Sequence, residues 1–194
     1  LNVLGLTFGM VGFLLIGVYV YEELTFDDHH TQGERIYRVI THAKSPSEKA
    51  STIAGAGYML AEEARHSLPD VENTTRMQRS GRANLVNPEN PVNIQGTVTI
   101  ADDQFLQIFD FPMIEGDRTT ALKEPNSIVI TQGLAMRLFG RTDVLNKHLQ
   151  FSHMQAPLKI TGILKNHPHN SSFGFTSVMS ESTLLDIQNF KSYA

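Results

Sequence analysis

The sequence contains no cysteine and no tryptophan. Without thiols there is no disulfide, no thiolate zinc site and no cysteine nucleophile, and the residue types assign no redox compartment. Runs of basic residues are also missing. Sixteen Lys and Arg are scattered among 20 Asp and Glu, for a formal net charge of −4. Binding a phosphate backbone needs a basic face, so this balance argues against nucleic acid as a partner. A third absence is local: residues 1–21 contain no Asp, Glu, Lys or Arg, so every formal charge falls within residues 22–194.

That uncharged stretch, "LNVLGLTFGMVGFLLIGVYVY", ends at Glu22-Glu23. As a helix, 21 residues reach roughly 30 Å, the thickness of a bilayer's hydrocarbon core. Asn2 and Thr7 do not repeat at a helical period, so the stretch lacks the polar face of a helix packed on a soluble core. Tyr19 and Tyr21 stand at its far end, where aromatic rings favour the lipid–water boundary. A signal peptide would show a positive start and a small-residue cleavage site, and neither is visible. The expectation is a membrane span over residues 1–22, with a signal sequence or a buried helix as the alternatives. Gly5-xxx-Gly9 has the spacing that lets two membrane helices approach closely, although glycine is also simply common in such helices. The flank "EELTFDDHH" has no positive charge, which places the following part outside the cytoplasm. The chain begins at Leu1 rather than Met and stops at "NFKSYA", as a fragment would.

Residues 23–194 are enough for one domain with a proper core or for two small subdomains. "ERIYRVITH" (34–42) reads as a strand with Ile36 and Arg38 on one face and Tyr37 and Val39 on the other. "KSPSEKAS" reads as a polar loop. Leu60, Ala61, Ala64 and Leu68 recur at helical spacing in a helix expected over 53–68 and closed by Pro69. "VENTTRMQ" (71–78) alternates like a strand, "SGRANLVNPENP" (80–91) reads as a hairpin or exposed loop, and "VNIQGTVTI" returns to alternation. "DDQFLQIFDF" is expected to form a short helix with Phe105, Ile108 and Phe109 on one side and Asp102 or Asp103 at its start. "NSIVIT" and "LKITGIL" read as compact strands. Between them Thr131 caps a helix carrying Leu134, Ala135, Leu138 and Phe139, and Gly140 ends it. "KNHPHNSS" is a turn. Strands and short helices mix without strict βαβ alternation, so the fold class is α+β: a transmembrane helix followed by a mixed α/β domain.

No residue constellation assembles an active site. The eight histidines include His29-His30 beside Asp27-Asp28, and His167 and His169 around Pro168. None has the i, i+4 spacing of a helical zinc site, and they are expected to be solvated or turn residues. "GAGYML" lacks the lysine and setting of a phosphate loop, no nucleophile elbow is present, and Glu62-Glu63 reads as the wet face of a helix. Catalytic, cofactor-binding and metal-binding residues are therefore expected to be none. "FDFPMIEGD" reads as an aromatic cluster packed on a Pro/Gly turn, and "FGRTDVLNKHL" as a tight corner between a helix end and a strand.

Four stretches together resemble one family. They are the glycine-bearing span running into "YEELTFDDHHTQGERIYRV", then "DDQFLQIFDFPMIEGDRTTALKEPNSIVIT", "GLAMRLFGRTDVLNKHL" and "KITGILKNHPHNSSFGF". In this order they resemble the start of an FtsX/MacB-type ABC transporter permease: its first membrane helix plus the MacB-like periplasmic core domain, here residues 1–22 and 23–194. One departure is Asn146 at the corner before Lys147, where such proteins carry glycine. Asparagine tolerates the left-handed backbone, so the turn should survive.

The resemblance implies a mechanical subunit and not an enzyme. It implies a bacterial inner membrane, a cytoplasmic ABC ATPase partner and a second permease copy. It also implies a periplasmic adaptor or outer-membrane partner, and transport that expels or releases a substrate already outside the inner membrane. The competing reading is a membrane-anchored extracytoplasmic domain that senses a ligand. That reading requires a pocket lined by convergent polar groups.

Overall fold

The computed structural model describes residues 2–27, 30, 32–43, 51–90, 92–151, 154, 156–168 and 170–186. The uncharged opening forms one continuous helix, α1 (Asn2–Leu24), with no buried residue, long and apolar enough to cross a membrane. Exposed apolar side chains on every side of a helix match lipid better than water. After α1 the chain turns, makes one short 3-10 turn (Gly33–Arg35), and pairs β1 (Thr41–Ala43) antiparallel with β2 (Ser51–Ile53). Helix α2 (Leu60–Ser67) follows.

The remainder is built on one seven-stranded sheet. Its strands are β3 (Met77–Val86), β4 (Asn93–Ala101), β5 (Met113–Gly116), β6 (Ser127–Thr131), β7 (His148–Phe151), β8 (Leu158–Leu164) and β9 (Ser177–Ser180). Their order is β5-β8-β6-β9-β4-β3-β7, and β7 also pairs with β8, so six strands close into a ring with β5 attached outside it. Short helices α3 (Phe105–Ile108), α4 (Gln132–Phe139) and α5 (Ser182–Asp186) lie between and after the strands.

Two apolar clusters occupy opposite faces of this sheet. Ile128 and Ile130 of β6 join Leu134 and Leu138 of α4 in one, whereas Val129 of β6 joins Phe105, Phe111 and Phe175 in the other. Successive strand residues point to opposite faces, so an uninterrupted apolar run such as "SIVIT" is what a strand covered on both sides requires, and all five of its residues are buried. The expected cap holds: Thr131 Oγ1 accepts the Leu134 N–H at 3.3 Å, and Gly140 ends α4 in the left-handed region at φ 71°. Asn146 adopts φ 65°, and its N–H bonds the Ile160 carbonyl at 2.8 Å, so the corner forms without glycine.

Several expectations need correction. Residues 34–42 do not form one strand. Residues 33–35 coil into the 3-10 turn, 36–40 have no ladder partner among the described residues, and only Thr41–Ala43 pairs. β-branched content extends a chain, but a strand needs a neighbour. The helix expected from 53 begins at Leu60, because Thr52 and Ile53 are recruited into β2 and Gly55 and Gly57 disfavour helix. None of its apolar residues is buried.

The strand expected at 71–78 begins only at Met77 and runs on through residues expected to turn. There Gly81, at φ 87°, supplies a bulge and not a turn, while Ala83 and Leu85 point into the core. The true reversal is at Asn87–Val92, where Asn87 Oδ1 accepts the Glu89 N–H at 3.0 Å. Beside α3, Leu106 is buried and Ile108 only partly so, which rotates the expected apolar face. Residues 44–50 of the polar loop, and the terminal "NFKSYA", lie outside the described residues.

Candidate functional site at the junction of helix and domain

The place where α1 meets the sheet domain concentrates the most specific contacts. Helix α1 stops at Leu24, just past the Glu22-Glu23 pair. Thr25 N–H and Oγ1 both bond the Tyr21 carbonyl, at 3.1 and 2.9 Å, closing the last turn. Asp27 then takes a left-handed conformation at φ 59°, which aspartate tolerates better than most residues.

From there the chain is fastened to a loop 145 residues away. Asn170 Nδ2 donates to the Thr25 carbonyl at 2.8 Å, Asp27 N–H donates to the Asn170 carbonyl at 3.0 Å, and Ser172 N–H donates to Asp27 Oδ1 at 2.8 Å. The geometry needs a short acceptor on a reversed backbone, and Asp27 supplies both.

Three residues on, His30 enters the second apolar cluster and is only 8% exposed. Its ring lies 5.5, 5.3 and 5.8 Å from Phe109, Phe111 and Phe173, edge-on to each. Its Nδ1 accepts the Asp110 N–H at 3.2 Å. His167 packs on the other side of the group, 5.1 Å from Phe111 and 4.2 Å from Phe175. The aromatic cluster read from "FDFPMIEGD" is present, but it is completed by "FGF" and by His30. Two histidines expected to be solvated are thus packing residues. Sequence spacing gave no reason to join them; the paired "FDF" and "FGF" segments were the available signal. His29 and His169 lie outside the described residues. No group of three potential metal ligands occurs among the described residues.

A charged cluster sits where the small β1–β2–α2 part meets the sheet. Arg76 bonds Glu181 through Nη2 at 2.7 Å and Nε at 3.1 Å, and its guanidinium lies 4.1 Å over the Tyr58 ring. Asp102 accepts from Thr75 Oγ1 at 2.6 Å, Arg76 N–H at 2.8 Å and Gln104 N–H at 3.2 Å, so its oxygens tie β3 to the start of α3. Burial pushes the Glu181 carboxyl above the usual carboxylate range, despite Arg76. Burial alone would lower Arg76, but its bond to Glu181 and the neighbouring charges outweigh that and raise it. Since arginine stays protonated throughout, the Glu181 direction is the one with consequences.

The other sequence candidates are dispersed. Glu62 and Glu63 are exposed and bond His66 and Ser67 one turn on, as a wet face would. The segment 55–60 leads into α2 and places Tyr58 on Arg76. Lys147 pairs with Glu89 at 2.5 Å beside an open groove of about 650 Å³ between the Asn87–Val92 turn and the end of α4. Asn87, Asn90, Arg137 and Arg141 line the same open groove.

The family model for the MacB-like periplasmic core domain matches residues 1–193. The chain belongs to this family. Among solved structures, the MacB-like domain is similar to a domain assigned to a permease of Porphyromonas gingivalis, at 26% identity and TM-score 0.57, over 63% of this chain and 56% of that one. It shares its fold with the periplasmic region of MacB from Actinobacillus actinomycetemcomitans, at 12% identity and TM-score 0.51, over 66% of this chain and 56% of that one. The chain therefore spans a little over half the length of these two structures. No curated protein matches it.

Proposed function

We propose that this MacB-like chain is the first membrane helix (residues 1–22) and the periplasmic domain (23–194) of an ABC transporter permease, set in a bacterial inner membrane. It passes ATP-driven motion from a separate cytoplasmic ATPase to the periplasm and so exports or releases a substrate. A second permease copy and a periplasmic adaptor or outer-membrane partner belong to the same reading.

The observation that carries it is the junction. A helix transmits displacement only if its end is fixed to what it moves, and here Thr25 and Asp27, within three residues of the end of α1, are hydrogen-bonded to a dock on Asn170–Ser172. A flexible linker would absorb the motion. The sensing alternative gains no comparable support: the groove beside Lys147 is open, whereas a ligand site encloses most of what it binds.

The test is a Gly-Gly-Ser insertion between Leu24 and Thr25 of the complete permease, assayed with its ATPase. Hydrolysis should persist while export falls tenfold or more. Export at the normal rate with the insertion in place would end the mechanical reading.

A further inference from the structure

We infer that His30 is a proton-controlled latch on this junction: neutral, it holds α1 to the sheet domain, and protonated, it lets go. The inference goes beyond transport, since it concerns the joint itself.

An imidazole nitrogen that accepts a hydrogen bond carries no proton. Nδ1 accepts the Asp110 N–H at 3.2 Å, so the docked ring is the neutral tautomer with its proton on Nε2. Protonation would place an N–H against the fixed Asp110 N–H and leave that amide without its acceptor. It would also create a cation at 8% exposure among Phe109, Phe111 and Phe173.

Among the described residues, the charged groups around the ring are already engaged. The Asp27 carboxylate accepts from Ser172 N–H, and the Asp110 carboxylate lies 3.8 Å from Arg118. Arg118 itself donates to the Phe111 and Leu106 carbonyls, while Arg79 donates to the Ser172 carbonyl at 2.9 Å. His167 is separated from His30 by Phe111, against which both rings pack.

His30 is tied into both halves of the dock. Its N–H bonds the Asp27 carbonyl at 3.3 Å, and its ring packs on Phe173, the residue after Ser172. Displacing the ring loosens both sides of the joint together.

The sign follows from which form the closed joint admits. It binds the neutral ring only, so closure is complete above the ordinary imidazole range and is lost as pH falls through it. Below about 6.5, each pH unit shifts the open-to-closed ratio up to tenfold toward open.

The full chain in lipid nanodiscs provides the test. With no native cysteine to compete, spin labels can be placed at exposed Glu23 and Lys165 through E23C and K165C. One narrow label-to-label distance is expected at pH 8, and a second, longer population at pH 5. Nitrogen-15 spectra of His30 at pH 8 should show the Nε2–H tautomer. His30→Phe and His30→Asn should each lose the pH response, whether closed or open at both pH values; the Asn variant retains an acceptor near the Nδ1 position. The proposal is overturned by an unchanged wild-type distribution between pH 8 and 5, by an imidazolium or Nδ1–H ring at pH 8, or by variants that respond to pH as the wild type does. Because the readout is a distance and a tautomer, it is independent of whether the transporter reading holds.

Discussion

Between Met77 and Ser180 the chain buries side chains on both faces of its sheet, whereas from Gln32 to Arg76 no described side chain is buried. Both regions contain regular secondary structure, so the difference lies in what holds it. In the sheet region it is apolar burial, the dominant favourable term in folding. In the smaller region it is a short ladder and polar contacts: His42 to Thr52 at 3.0 Å, Arg65 to the Thr74 carbonyl at 3.1 Å, and an exposed Arg35–Glu72 pair at 2.6 Å. Exposed ion pairs contribute about 0–1 kcal/mol, and a two-stranded sheet or an eight-residue helix is marginal alone. Secondary structure is therefore no guide to where the stability of this chain resides.

The same substitution made in both regions puts this contrast at risk. Leu138→Ala removes a side chain that is 2% exposed and packed between α4 and the sheet. It should cost about 2–5 kcal/mol in a denaturant titration followed by circular dichroism. A cost under 1 kcal/mol would mean that burial is not what separates the regions.

An intermediate effect is expected where the regions meet, at Glu181. Its carboxyl is pushed up by burial, so the folded protein holds the proton more tightly than the unfolded chain does. The associated stabilisation is present below the ordinary carboxylate range of about 4.3 and is lost as pH rises through the raised value. Relative to Glu181→Gln, which cannot ionise, the wild type should lose stability as pH is raised from about 4 to 7. A relative gain over that range would show that attraction to Arg76 exceeds the cost of removing the carboxylate from water.

Legibility in the sequence follows the same division. "NSIVIT", the Thr131 cap, the Gly140 stop and "LKITGIL" were readable because local propensity and the buried environment agree there. "ERIYRVITH" and the 53–68 helix were misread because their apolar patterns imply a core that none of the described residues supplies. "SGRANLV" was misread for the opposite reason: turn-forming residues were overruled by a ladder to β4 that only the tertiary fold provides. The candidate site was the least legible. Its parts, Thr25–His30, Phe105–Phe111 and Asn170–Phe175, lie far apart in sequence, and their meeting depends on a backbone reversal at Asp27 that no spacing rule announces.

The smallest effect sharpens the comparison most, because it is the one that pattern alone gets wrong. Leu68 completes the apolar spacing of α2 and would be assigned to a core from sequence, yet it is 53% exposed and extended ahead of Pro69. A side chain that keeps half its surface in water loses little transfer energy when truncated, and it leaves no cavity for neighbours to collapse into. Leu68→Ala should therefore change stability by no more than about 0.5 kcal/mol in the same titration, against the several lost at Leu138. If the two leucines cost alike, α2 has a packed face in solution, and the contrast between the regions would have to be given up.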